Sequence, residues 1–327
     1  MKVLVTGATG FIGSHLVHNL CAKGEKVRVF VRKQSNLKRL QGLDVEYFLG
    51  DLSDPESARQ AVKGIDVVYS IAGLINAPVA SHESIYWESN LTIVKNLLAA
   101  CVKQKIKSFV FCSSVSVMGF LDTLPADENT PCRPQNIYEK AKYEAEKLCL
   151  TSFRENGVPV SIIRPAKVYG PYDAKNFKLF KAIARNQFLF IGNGKTTLHP
   201  VYIRDLVRAF QLCAHSDKAA GRIYIIGGVK PVTLEEFVNT SAEILNVRIP
   251  PIHLPVYLCR CAAYFLERIC PLFKIEPPLF KRRLEFFIRN QAFDLSRAKQ
   301  ELGYSPQVDI EEGIKETISW YKQEKWL

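Results

Sequence analysis

One stretch constrains this chain more than any other. Val3-Leu4-Val5 runs directly into Thr6-Gly7-Ala8-Thr9-Gly10-Phe11-Ile12-Gly13, and Ile12, Leu16, Val17 and Leu20 then share one helical stripe that ends at Gly24, a good C-cap. Three glycines between a buried strand and a helix supply a tight turn, a close approach for a pyrophosphate, and close helix-to-strand packing. The helix N-terminus then faces the phosphates. A Gly-rich connection without a ligand shares the spacing, but here both flanks are correct. The loop therefore predicts a dinucleotide site, with Gly7, Thr9, Gly10, Phe11, Ile12 and Gly13 against the cofactor.

Largely apolar runs recur beyond the loop, at Val27 to Val31, Val45 to Phe48, Val67 to Ile71, Phe109 to Cys112 and Val160 to Ile163. Like Val3 to Val5, they suit strands buried on both faces. Helical stretches separate them, one beginning through Asp54-Pro55 and Ser57 and continuing to Val62. This alternation predicts an α/β fold, a doubly wound parallel sheet of the Rossmann type. After about residue 165 it loosens, punctuated by Gly170-Pro171, Gly192-Asn193-Gly194, Pro250-Pro251 and Pro277-Pro278. The expected division is a nucleotide-binding domain over 1–165 and a smaller substrate-binding region over 166–327, with elements such as Val201 to Ala214 packing back on the first.

Lys and Arg exceed Asp and Glu by 12, a surface that attracts anions such as phosphorylated cofactors, nucleic acid or acidic lipid. No recognition motif accompanies the charge, so no nucleic-acid partner is expected. Nine cysteines without a C-x-x-C pair and six histidines without a ligand spacing predict neither a disulfide framework nor a metal site. Glycine interrupts the opening residues too soon for a signal peptide, and no run reaches about 18 apolar residues. A cytoplasmic chain that does not span a membrane is expected.

The end of the second strand selects the dinucleotide: a carboxylate there accepts from the ribose hydroxyls, whereas a basic residue accommodates a 2′-phosphate. Here Arg32-Lys33 follow the strand, favouring NADP over NAD. Asp51, in Gly50-Asp51-Leu52 after the third strand, is placed either to meet the adenine or to cap a helix.

Tyr138 and Lys142 stand four apart at the start of a helical stretch reaching about Asn156, so both project from one face. A tyrosine hydroxyl titrates near 10, and using it as proton donor and acceptor near neutrality requires about 4 kcal/mol. A neighbouring ammonium, here Lys142, and a cationic nicotinamide ring supply that. The fifth strand ends in Ser113-Ser114-Val115-Ser116, which puts hydroxyls at the C-terminal edge of the sheet, where Ser114 is suited to orient a substrate hydroxyl. Singly, these are an ordinary helix pair and an ordinary capping serine; their order after the glycine loop joins them.

Over essentially its full length the chain resembles an extended short-chain dehydrogenase/reductase of the NAD(P)-dependent epimerase/dehydratase type. The resemblance rests on TGATGFIG, GDLSDPES, DVVYSIAG, Asn90 in NLTIVKNLLAA, SSVSVMG, YEKAK, RPAKVYGP and HPVYIRDLVRAF. It implies that Tyr138 is the general acid/base, that Lys142 lowers its pKa and holds the nicotinamide ribose, and that Ser114 positions the reacting oxygen. It also sets Asp51, Leu52, Ala72 and Pro165 against the cofactor.

Departures from the family pattern narrow the substrate. Dehydratases of sugar nucleotides carry an Asp-Glu pair after the hydroxyl residue, where this chain has Val115-Ser116; Lys167 and Leu198 stand where sugar-nucleotide enzymes tend to have Asn and Arg. SSVSVMG and the tail over 293–321 look more like the 3β-hydroxysteroid dehydrogenase branch. Residues 255–275 are strongly apolar and are followed by Lys281-Arg282-Arg283. They suit a lipophilic pocket, a peripheral contact with a bilayer surface through 255–283, ordinary core packed over the second region, or the interface of a homodimer. The expected activity is hydride transfer on a small-molecule lipophilic alcohol or ketone, with an NDP-sugar epimerase and a non-catalytic nucleotide binder as alternatives.

Overall fold

All six expected strands form in the computed structural model, which describes residues 1–75, 82–270, 279 and 281–327. The first half alternates as β1 (Lys2–Thr6), α1 (Phe11–Ala22), β2 (Lys26–Val31), β3 (Val45–Leu49), α2 (Pro55–Ala61), β4 (Val67–Ser70), α3 (Ser84–Trp87), α4 (Ile93–Val102), β5 (Ser108–Cys112), α5 (Ile137–Asn156) and β6 (Val160–Pro165). The second half adds β7 (Lys167–Tyr169), α6 (Ala174–Ala184), β8 (Phe190–Ile191), β9 (Thr197–Leu198), β10 (Pro200–Tyr202), α7 (Ile203–Ala214) and β11 (Arg222–Ile226). It continues through β12 (Val232–Thr233), α8 (Leu234–Leu245), β13 (His253–Leu254), α9 (Val256–Ile269), α10 (Lys281–Ile288), α11 (Ser296–Leu302) and α12 (Ile310–Gln323).

Seven strands pair in the order β11-β6-β5-β4-β1-β2-β3, every pair parallel. The strand order reverses at β1, so a crevice opens between the C-terminal ends of β1 and β4, where open α/β sheets take their ligands. Alternation along β1 divides the core: Val3 and Val5 pack with Leu16, Val17 and Phe210 on one face, and Leu4 with Ala58, Val94 and Leu97 on the other.

Two features of the sheet differ from the sequence expectation. β3 is not buried on both faces: Tyr47 is 44% and Leu49 65% exposed, because β3 is an edge strand. The seventh strand, β11, comes from beyond residue 165 and pairs with β6 in the register Ile223↔Ile162. One helix fastens the late half to the early one, and another holds the seventh strand. On α7, Gln211 donates to Asn19 Oδ1 (2.7 Å) on α1 and accepts from Lys23 Nζ (2.7 Å), while on α11 Glu301 accepts from the Tyr224 hydroxyl (2.8 Å) of β11.

Among the described residues no helix is long and apolar enough to cross a membrane. Residues 256–269 of the apolar stretch form α9, which buries Cys259 and Ala263 and exposes Tyr257, Leu258, Tyr264, Phe265 and Ile269. Residues 271–275 of that stretch, and 276–278 and 280 after it, lie outside the described residues.

Candidate active site

Thr6 closes the crevice at its base, its hydroxyl oxygen accepting the N–H groups of Ile71 and Ala72, each at 3.1 Å. Gly7 follows with φ +66°, and a Cβ there would lie 2.8 Å from the Ala72 nitrogen. At Gly13 a Cβ would lie 2.2 Å from the Gly7 carbonyl oxygen, so the loop folds back on α1 only because that position is bare. Gly10 brings no capping side chain to α1, which leaves the first-turn N–H groups for a phosphate. Thr9 lies half-buried on the same loop. This cradle fits a dinucleotide.

A cavity of about 540 Å³ opens beside the loop, lined by Phe11, Ile12, Ile71, Gly73, Ser114, Tyr138, Lys142 and Pro165. The sequence-derived catalytic set therefore converges on one space. Tyr138 and Lys142 project into it from the first turns of α5, a helix capped by Asn136 through the Glu139 N–H (3.1 Å). The Lys142 ammonium donates to the Cys112 carbonyl (2.9 Å) and lies 4.9 Å from the Phe111 ring centre. Burial presses its pKa below the ordinary lysine value. Ser114 caps the turn Val115–Met118, its oxygen accepting from the Ser116 N–H (3.2 Å) and the Ser116 hydroxyl (2.9 Å). With two donors arriving, the Ser114 proton remains to be donated to a ligand. Asn90, in a π turn over Glu88–Thr92, is fully buried and pins the chain after β4 by donating to the Leu74 (3.1 Å) and Tyr86 (3.0 Å) carbonyls.

Arg32, Lys33, Asp51 and Leu52 do not line this cavity; they follow β2 and β3, where Gly50 N–H donates to the Val31 carbonyl (3.1 Å). Arg32 and Lys33 are exposed. The Asp51 carboxylate accepts from the Ser53 N–H (2.9 Å) and hydroxyl (2.8 Å), which hold it below the usual carboxylate range, with a smaller pull from Arg32. Asp51 does not cap the following helix. Asp54 does, accepting the N–H groups of Glu56 and Ser57 at 3.1 Å each. Leu52 is buried, its carbonyl held by Asn96 Nδ2 (2.9 Å).

Sequence reasoning missed a buried ion pair on the cavity wall. Arg289, just after α10, donates to Glu139 Oε1 (2.9 Å), the Gly119 carbonyl (2.8 Å) and the Ser116 carbonyl (3.0 Å). It thereby clamps the Ser114 turn to the helix that carries Tyr138. The two partners are 150 residues apart, and no local pattern announces them. On the far wall stand Lys167, Lys175, Asp173 and the buried Leu198. Part of the Lys167 surface opens to the cavity, yet burial presses its pKa to about 7, with a further push from Lys175 and an opposing pull from Asp173.

The model of the NAD dependent epimerase/dehydratase family matches residues 3–227. The chain belongs to that family. This family member is 31% identical to the 2-alkyl-3-oxoalkanoate reductase of Shewanella oneidensis, over 95% of the chain and 84% of the relative. It is 28% identical to the 3beta-hydroxysteroid-dehydrogenase/decarboxylase isoform 1 of Arabidopsis thaliana, over 98% of the chain and 80% of the relative. Its fold is that of the UDP-glucose 4-epimerase of Thermotoga maritima, solved with UDP-glucose: the TM-score is 0.82 at 24% identity, covering 99% of this chain and all of the other. The resemblance read from the motifs and the expectation of a nicotinamide-dependent enzyme on a Rossmann-type sheet are both met.

Proposed function

We propose that this family member catalyses reversible hydride transfer at a carbon bearing a hydroxyl or ketone, on a lipophilic alcohol or ketone. The observation that carries the reading is the meeting of Ser114, Tyr138 and Lys142 in one cavity whose remaining wall includes Ala166, Val168, Leu198 and Phe286. The names of its reductase and hydroxysteroid dehydrogenase relatives point the same way. The glycine loop, Ala72 and Pro165 would hold the nicotinamide cofactor, which when bound takes up or delivers the hydride. Tyr138 passes the proton to or from the substrate oxygen, Ser114 donates a hydrogen bond to that oxygen, and Lys142 favours the tyrosinate by its charge and reaches the cofactor ribose. Residues 1–165 serve chiefly the cofactor and 166–327 the substrate. Arg32 and Lys33 stand after β2 where the sequence offers no carboxylate for the ribose hydroxyls, and favour NADP.

The exposed aromatic and aliphatic side chains of α9, interleaved with Arg260 and Arg268, suit peripheral contact with an acidic lipid surface, from which a lipophilic substrate would be drawn. A second copy of the chain is the rival occupant of that face.

A nucleotide-sugar epimerase is the second reading, favoured by Lys167 and Lys175 as cations able to meet a diphosphate. A non-catalytic binder would not need Ser114, Tyr138 and Lys142 together. The deciding experiment pairs cofactor titration with turnover of a panel of alcohols and ketones in wild type and Tyr138→Phe. Retained cofactor binding with turnover lowered at least 100-fold is expected; unchanged turnover in the variant would overturn the reading. Tight cofactor retention through purification, with thermal stabilisation by UDP-sugars alone, would move the assignment to the epimerase.

A further inference from the structure

Lys167 is a cation that the proposed hydride chemistry leaves without a task. It stands on β7, two residues beyond Pro165, and lines the same cavity as Ser114 and Tyr138. Several other charged groups of the cavity are engaged, and Lys175 and Glu285 share its lining. Lys142 donates to the Cys112 carbonyl, Arg39 donates to the Tyr172 carbonyl, and Arg289 pairs with Glu139. The Asp173 carboxylate accepts from the Lys175 N–H (2.9 Å), the Asn176 N–H (3.1 Å) and Asn176 Nδ2 (2.6 Å). Among the described residues the Lys167 ammonium has no ion pair or hydrogen bond; it rests on the face of Phe286, 3.8 Å from the ring centre. An ammonium carries three donors, and a ring face satisfies none of them as an oxygen would.

We propose that Lys167 receives an anionic oxygen group of the substrate, a carboxylate borne by an otherwise lipophilic skeleton. The inference rests on the proposed hydride transfer and narrows its substrate class. Lys167 lies among Ala166, Val168, Leu198 and Phe286, which suits one carboxylate on an apolar frame; Lys175 lines the same wall beside Asp173, and the buried Leu198 adds no donor for a second phosphate. Burial holds the ammonium near its titration point, and an anion seated beside it would restore the full charge.

The test uses the full chain loaded with cofactor and four matched probes, 3-hydroxydecanoate, 3-oxodecanoate and the methyl ester of each, with UDP-glucose as the phosphate-bearing control. Binding is followed by fluorescence titration and turnover by nicotinamide absorbance. Each acid should exceed its ester in kcat/KM by about 10- to 100-fold, mainly through KM, the scale of one charge-assisted contact. In Lys167→Met that ratio should fall toward one, in Lys167→Arg most of it should remain, and cofactor affinity should stay within about two-fold in both as a check on folding. Equal use of acid and ester by the wild type, an unchanged ratio in Lys167→Met, or no binding of either acid would overturn the inference. So would Lys167-dependent binding of UDP-glucose in preference to the acids. Failure of the hydride reading looks different: Tyr138→Phe would turn over normally while acid binding still depended on Lys167.

Discussion

Replacing Arg289 by Met should loosen the active site from behind without touching its reacting groups. Arg289 is 6% exposed, and its partner Glu139 is 2% exposed. Removal would strand the Glu139 carboxylate with one remaining donor, the Gln135 N–H at 2.6 Å, would take the Arg289 donor from the Gly119 carbonyl, and would leave the Ser116 carbonyl with the Gly119 N–H at 3.1 Å. Breaking a buried pair from one side costs about 3 to 5 kcal/mol, because the survivor stays desolvated and uncompensated. Glu139→Gln should cost less, about 2 to 3 kcal/mol, since Arg289 keeps both carbonyls and a looser approach to Glu285 at 3.6 Å. The double variant should then be more stable than the two single losses add up to, with a coupling of about 1 to 3 kcal/mol. Because the clamp fixes Ser114 relative to Tyr138, a shift of about 1 Å would lower the rate of hydride transfer about 100-fold. Urea unfolding at constant m-value measures the first quantities, and single-turnover kinetics at saturating cofactor measures the last. A loss below 1 kcal/mol in Arg289→Met, or strict additivity in the double variant, would refute the clamp.

Lys167→Met should stabilise the protein, and the sign follows from linkage. The lysine pKa falls from 10.5 to about 7 on folding, so between those values the unfolded chain holds the proton and the folded chain does not. The penalty is therefore complete below pH 7 and fades as pH rises toward 10.5, and the advantage of the variant should shrink by about 2 to 3 kcal/mol between pH 7 and pH 9 in parallel unfolding curves. A gap that widens with pH would reject an enclosed ammonium. Gly13→Ala should lower stability by about 3 kcal/mol and abolish the thermal shift given by NAD or NADP, because its Cβ would stand 2.2 Å from the Gly7 oxygen. A normal cofactor shift in that variant would mean the loop does not seat the pyrophosphate. Changing Arg32 to Asp and Lys33 to Ala together should weaken NADP relative to NAD by about 1 to 3 kcal/mol in isothermal titration; an unchanged preference removes these two residues from cofactor selection.

Local signals made much of this molecule readable. The strands β1, β2, β4, β5 and β6 are runs in which nearly every residue is buried, so composition alone carries them. The i, i+4 spacing of Tyr138 and Lys142 was enough to aim both at one cavity, because α5 is a regular helix there. What escaped depends on neighbours distant in sequence. The edge position of β3 is set by sheet order, which its own residues do not encode, so Tyr47 and Leu49 read as buried. Arg222–Ile226 has the same character as the earlier strands, but it follows α7 outside the regular alternation and was passed over. Lys167 is visible as a departure from a motif, whereas its seat on the Phe286 ring requires the fold.

The origin of β11 governs how this chain can be made. A ribosome releases β1 through β6 well before Arg222–Ile226 emerges, and until then β6 presents a full row of unpaired backbone groups on a strand whose every residue is apolar-facing or buried in the finished sheet. Such an open edge pairs readily with another nascent copy. An N-terminal half ending at β6 should therefore be prone to edge-to-edge association. A chain cut near residue 165 would carry a sticky margin that the full chain covers only at its seventh strand, and the last step of sheet assembly waits on the part of the sequence that also builds the far wall of the cavity.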